Sequence, residues 1–132
     1  MAFNVLVVDD SGVMRAMIIK TMKMSGIELG EVHQAANGAE GLDALKDNWI
    51  DFVVVDINMP VMNGEEMIDR MLADPDIKST PKIVISTEGS EERIERLRKK
   101  GAEFIHKPFS PETIRDIILA ITGTGAENEQ GI

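Results

Sequence analysis

Two periods alternate along the chain. Phe3 to Val8 is a continuous valine-rich apolar run that ends on Asp9-Asp10, the pattern of a strand buried on both faces. Val13, Met14, Met17, Ile18, Thr21 and Met22 follow at helical spacing, with Ser11 as N-cap and Gly26 as the stop. Val32 to Ala35 reads as a short second strand, and Asn37-Gly38 opens a helix carrying Ala39, Leu42 and Leu45. Asp51 to Asp56 is the strongest strand. Pro60 and Asn63-Gly64 form a loop before a helix with Met67, Ile68, Met71 and Leu72. DPDIKSTP is a polar connector, and Lys82 to Ser86 is a fourth strand. Glu91 to Lys100 is a charged helix with Ile94 and Leu97 as its apolar positions, and Glu103 to His106 is a fifth strand. Pro111 suits the first turn of a last helix bearing Ile114, Ile117, Ile118 and Ile121. The remainder has no periodicity. The expected organisation is one domain over 1–122 and a disordered tail over 123–132.

Five strand–helix units in tandem predict an α/β fold, a doubly wound parallel sheet flanked by five helices. Such sheets bind ligands at the carboxyl ends of their strands. Strand 1 brings Asp9 and Asp10 to that edge, strand 3 Asp56, strand 4 Ser86 and Thr87, and strand 5 Lys107. Three neighbouring carboxylates repel one another unless a proton or a cation intervenes. An all-oxygen donor set selects a hard divalent ion such as Mg²⁺, which keeps waters and shares phosphate oxygens. Lys107 and Ser86 would complete the neutralisation of a phosphoryl group, and a carboxylate facing that clamp is a competent nucleophile toward phosphorus. The edge therefore reads as a site of aspartyl phosphorylation with Asp56 as acceptor. Taken singly, Asp9-Asp10 also suit helix-capping acids, Lys107 a surface lysine beside a turn proline, and Ser86 a strand-end hydroxyl.

The pieces VLVVDDS, VVVDINMPVMNG, IVIST and HKPF, in that order and spacing, resemble the receiver domains of two-component response regulators, the stand-alone CheY-like kind in particular. The resemblance spans nearly all of the chain except the tail. It implies a flavodoxin-like sheet of order 2-1-3-4-5. It also implies that Asp56 is the phosphoacceptor, that Asp10 binds Mg²⁺ directly and Asp9 largely through water, and that the Asn58 backbone carbonyl completes the metal site. Ser86 matches the hydroxyl that moves to the phosphoryl group, Lys107 the lysine that contacts it, and Pro108 a proline after a cis peptide. Phe104 matches the switch aromatic, often tyrosine in relatives, expected to turn inward when Ser86 moves. Asn58 and Glu88 match the two positions that tune the lifetime of the acyl phosphate.

The implied role is a signalling phosphoacceptor rather than an enzyme, with its own autophosphorylation and autodephosphorylation chemistry. Its expected partners are a sensor histidine kinase or a histidine phosphotransfer protein, and a downstream protein on the surface of the fourth helix, fifth strand and fifth helix. A chemotaxis-type regulator is favoured over a phosphorelay intermediate or phosphate sink. A phosphatase with an aspartyl nucleophile ranks lower, because Asn58 stands where its general acid would be. A flavin or nucleotide binder ranks lower because DDSGVM lacks a phosphate-cradling run. A monomer is expected, with a dimer open to the phosphorylated form.

Composition narrows this only a little. The net charge of −9 argues against nucleic-acid binding and anionic membranes. The chain has no cysteine, no signal peptide and no run long enough to insert in a membrane, which together place it in the cytoplasm. Among the nine methionines, Met14, Met17, Met67 and Met71 fall at core spacing. Ile19 projects opposite the first helix's stripe, a position for a partner contact, although isolated surface isoleucines are ordinary. Arg93, Arg96 and Lys100 share one face of the fourth helix, where pairs such as Glu92-Arg96 and Glu95-Lys99 predict a solvated ridge. His33 and His106 carry no role. Trp49 precedes strand 3 and belongs at the edge away from Asp56, so its fluorescence should report Mg²⁺ poorly.

Overall fold

The computed structural model describes residues 2–87 and 89–123. Ten elements alternate in chain order: β1 (Phe3–Val8), α1 (Gly12–Met24), β2 (Leu29–Ala35), α2 (Gly38–Asp47), β3 (Phe52–Val55), α3 (Gly64–Leu72), β4 (Lys82–Ser86), α4 (Glu91–Lys99), β5 (Ala102–His106) and α5 (Pro111–Thr122). The strands form one parallel sheet in the order β2-β1-β3-β4-β5. Both the doubly wound fold and the implied strand order are therefore present. Of the expected tail, all but Gly123 lies outside the described residues, and so does Glu88. No helix among the described residues is long and apolar enough to cross a membrane.

Alternation along the strands builds two cores. Leu6 and Val8 face one side with Val53, Val55, Met67, Ile68, Met71, Ile94 and Leu97, under α2, α3 and α4. Val5 and Val7 face the other with Phe52, Val54, Ile18, Met22, Ile114 and Ile118, under α1 and α5. A period of two on a sheet covered on both faces requires this continuous apolar pattern. Each helix begins on a side-chain acceptor: Ser11, Asn37, Asn63, Ser90 or Ser110 takes a backbone N–H of its first turn. Pro111 occupies the start of α5, and Gly26 closes α1 with a left-handed φ of 88°.

Three expectations need correction. The first is the phase of α1. Ile18 and Met22 are buried, and Met14 and Ile19 pack against the same core, whereas Val13 and Met17 are 77% and 55% exposed. Ile19 is thus not an outward contact, and Met17 is not a core residue. Apolar side chains surround most of GVMRAMIIKTMKM, so its pattern does not single out a face; contact with β1 and α5 does. The second is β2, which starts at Leu29 rather than Val32. Leu29 pairs with Phe3, and the Glu31 N–H donates to Asn4 Oδ1 at 2.8 Å, so pairing extends the strand through a polar stretch. The third is the 74–81 connector: Ile77 within it is buried in the core. Smaller boundary shifts elsewhere are within a residue of the expected ends.

Candidate functional site at the carboxyl edge of the sheet

Register places the acids. Val8 pairs with Val55, so the residues that follow them, Asp9 and Asp56, leave the sheet side by side. The Asp56 N–H still donates to the Val8 carbonyl at 3.0 Å, which ties the two strand ends together. Ser86 pairs with His106, and the Lys107 N–H donates to the Ser86 carbonyl at 3.0 Å. Carboxylate oxygens of Asp9, Asp10 and Asp56 come within 4.8 Å of one another. Lys107 Nζ lies 3.8 Å from Asp56 Oδ1 and 3.9 Å from Asp9 Oδ2, after a cis Lys107–Pro108 bond. Ser86 is buried, Asp10 is exposed, and Asn58 sits on the exposed loop two residues past Asp56.

The pocket is short of positive charge. Burial pushes both the Asp9 and the Asp56 carboxyls above the usual carboxylate range, and the neighbouring acids push the same way. Lys107 and single backbone N–H donors, from Ser11 to Asp9 and from Ile57 to Asp56, oppose this without cancelling it. Asp9 Oδ2 is buried and accepts no hydrogen bond among the described residues. A buried carboxylate oxygen without a donor, facing two further carboxylates, fits a hard divalent cation. Asp9, Asp10 and Asp56 are the side chains that would hold it.

The loop after Asp56 explains the turn residues in INMPVMNG. The Gly64 N–H donates to the Ile57 carbonyl at 2.9 Å, and a Cβ at position 64 would fall 2.2 Å from the Asp56 carbonyl oxygen. Only glycine permits that approach, so the loop returns close behind the acceptor strand and α3 starts beside it. Val61 is the strained point: φ is 67°, and the Met62 N–H reaches back to the Pro60 carbonyl at 2.7 Å in a tight turn.

Several residues near the site had no readable signal. Arg15, on α1, donates to the Asp9 carbonyl at 2.6 Å and to Gln34 Oε1 at 2.9 Å, holding the acidic loop against β2. Glu65, the second residue of α3, overturns the reading of α4 as a solvated basic ridge. Arg96 grips Glu65 with two hydrogen bonds of 2.6 and 2.9 Å, Lys100 adds one of 2.9 Å, and Arg93 stands 3.8 Å away. Lys100 also reaches Asp69 at 2.8 Å. Their hydrogen bonds hold the Glu65 carboxyl down at about 2. Among the described residues neither Glu92–Arg96 nor Glu95–Lys99 closes to an ion pair; a bidentate guanidinium–carboxylate contact across two helices is better oriented than an exposed i,i+4 pair. Glu65, followed by Glu66, looks like an ordinary first-turn acid, so nothing in its spacing announces these partners. Phe104, the expected switch aromatic, is buried, its ring edge-on to His106 at 4.8 Å. Without a hydroxyl to keep wet, a phenyl ring gains from staying inside.

A doubly wound parallel sheet of order 2-1-3-4-5, with clustered acids and a lysine at its carboxyl edge, belongs to the class of receiver-type α/β domains. The model of the response regulator receiver domain family matches residues 5–119, and the chain belongs to that family. It is 36% identical over 125 residues to the chemotaxis protein CheY1 of Helicobacter pylori, covering 92% of this chain and 98% of that one. Vibrio cholerae chemotaxis protein CheY4 superposes with a TM-score of 0.79 at 34% identity, covering 92% and 99%. The CheX-CheY-BeF3-Mg+2 complex from Borrelia burgdorferi gives a TM-score of 0.79 at 30% identity, covering 90% and 88%. The protein is a two-component signalling regulator homologous to CheY chemotaxis response regulators.

Proposed function

We propose that the chain is switched by Mg²⁺-dependent phosphorylation of Asp56. The observation that carries this reading is the under-neutralised carboxylate group: Asp56 and Asp9 share Lys107 at 3.8 and 3.9 Å, and Asp9 keeps a buried oxygen with no donor among the described residues. When bound, Mg²⁺ supplies positive charge that lowers the repulsion at the acids and draws in phosphate oxygens. Asp9, Asp10 and Asp56 would hold that charge, with the Asn58 backbone carbonyl as a further oxygen donor. Ionised Asp56 attacks phosphorus of a phosphohistidine donor; the new Asp56 O–P bond forms as the P–N bond to the histidine breaks. Lys107 and the Ser86 hydroxyl take up the oxygens of the transferred group. Hydrolysis of the acyl phosphate resets the site, tuned by Asn58 and Glu88.

The donor is a histidine kinase or histidine phosphotransfer protein. The surface of α4, β5 and α5 changes when Ser86 moves toward the phosphoryl group, and a partner of the chemotaxis type reads it. Phe104 already fills the interior beside β4, so the switch begins from a seated ring. Ser86 and Phe104 are the groups that carry the change from the phosphoryl group to that surface. The cytoplasm is the compartment in which such donors are met, and the resting form is a monomer.

Intact mass after incubation with acetyl phosphate tests this. A labile gain of one phosphoryl group is expected in the presence of Mg²⁺, and none with Asp56→Asn or without the metal. Labelling that persists in Asp56→Asn would assign the chemistry to another residue.

A further inference from the structure

The edge of the sheet opposite the acids carries a second cleft that phosphorylation chemistry does not use. It has a volume of about 280 Å³ and lies between the turn into β3 and the turn into β4, with Trp49, Asp51, Asp76 and Thr80 on its walls. Its floor is apolar: Leu45, Ile50 and Ile77 are all buried. β3 has four residues, so this edge lies roughly 13–17 Å from Asp56 along the strand.

Trp49 is 78% exposed, and its ring is tethered at one atom. Its indole N–H donates to Asp51 Oδ1 at 3.3 Å. The other oxygen of Asp51 accepts the Asn4 N–H at 2.7 Å, and the Asp51 N–H donates to the Asn4 carbonyl at 2.7 Å. A carboxylate anchored to β1 therefore holds an aromatic face toward water, where it adds little to the core. The surrounding charge is negative. Asp51 and Asp76 line the cleft, and Asp47 lies on its rim. Lys46, on the same rim, is engaged by Asp74 at 3.0 Å. The Asp76 carboxylate takes part in no hydrogen bond among the described residues; only the Asp76 backbone N–H is used, toward Asp74.

An indole face beside the Asp51 and Asp76 carboxylates, over an apolar floor, matches a cation on an apolar stem. We propose that this cleft docks an arginine or lysine side chain presented by a partner protein. The guanidinium or ammonium would lie over Trp49 and against Asp76, with its methylene stem on Ile50 and Ile77. A second copy of this chain is disfavoured as occupant, because two molecules of charge −9 repel. The walls belong to the amino ends of β3 and β4, so docking here is independent of the state of Asp56 and leaves the α4–β5–α5 surface free.

The test is an NMR titration of the ¹⁵N-labelled full chain with acetyl-Gly-Arg-Gly-amide, using the citrulline tripeptide as a neutral control of the same shape. Expected are saturable shifts of the Trp49 indole N–H and of the Asp76 to Thr80 amides, with a Kd in the millimolar range for so small a probe. Asp76→Asn should weaken binding about threefold and Trp49→Leu about two- to fivefold. Asp76→Asn is on an exposed turn, so an otherwise unchanged spectrum verifies the fold. Equal binding of the citrulline tripeptide, shifts spread without saturation over the acidic surface, or no effect of Asp76→Asn and Trp49→Leu would each overturn the proposal.

Discussion

Two carboxylate sites, one at the carboxyl ends of β1 and β3 and one at the start of α3, are built oppositely. Asp9, Asp10 and Asp56 share Lys107, and burial raises the carboxyls of Asp9 and Asp56. Glu65 has two cations within hydrogen-bond reach and a third at 3.8 Å, and its carboxyl sits at about 2. Residue type does not separate the two; the balance of nearby positive charge does. A surplus of counter-charge makes a carboxylate a structural tie, here between α3 and α4. A deficit leaves it reactive and able to take up a cation.

The comparison breaks most sharply at Asp9. Asp9→Asn removes a buried charge whose Oδ2 lacks a donor among the described residues, and should stabilise the metal-free protein by about 1–3 kcal/mol. The same change should sharply weaken the rise in Tm that millimolar Mg²⁺ gives the wild type. Thermal melts of both proteins with and without Mg²⁺ check this; a destabilised Asp9→Asn variant would show that Asp9 is already satisfied.

Glu65→Gln is the opposite experiment. It leaves Arg96 and Lys100 without the charge of their shared acceptor, and should cost about 1–2 kcal/mol after allowing for the open rim of the cluster. The two clusters also carry opposite pH signatures. Glu65 titrates lower in the folded chain than in the unfolded one, so its stabilisation is full above pH about 4.5 and is lost as pH falls toward 2. Asp9 and Asp56 titrate higher when folded, so the native state holds more protons there. Their burden grows as pH rises from about 3.8 through the raised values. Denaturant melts from pH 2 to 7 without metal should show the first limb missing in Glu65→Gln and the second reduced in Asp9→Asn.

Smaller effects sharpen the geometry of the loop between the clusters. Val61→Gly relieves a positive φ on a β-branched residue that is 82% exposed, and should stabilise the fold by about 0.5–1 kcal/mol by chemical denaturation. The smallest effect expected is at Trp49, which lies at the far edge of the sheet. Saturating Mg²⁺ should leave its emission nearly unchanged; a large quench that vanishes in Asp56→Asn would connect the two edges.

Much of this was legible in the chain itself. Buried parallel strands need unbroken apolar runs, so a charged residue closing such a run marks the sheet's carboxyl edge. That is why Asp9, Asp10, Asp56 and Lys107 could be gathered from separate short stretches before any coordinates. The caps at Ser11 and Asn37, the Pro111 helix start and the Gly26 stop are local chemistry, readable within a turn of chain. The face of α1, the buried Ile77, the partner of Arg96 and the seated Phe104 were not legible. Each depends on which neighbour arrives from a distant part of the chain.

By itself, then, the order of residues determined the strand–helix alternation and the identity of the acids and lysine at one edge, because periodicity and capping act over a few residues. Tertiary structure alone decided which carboxylates were left short of counter-charge and which were saturated. Electrostatic balance is a sum over neighbours in space, and Arg96 meets Glu65 across 31 positions of sequence.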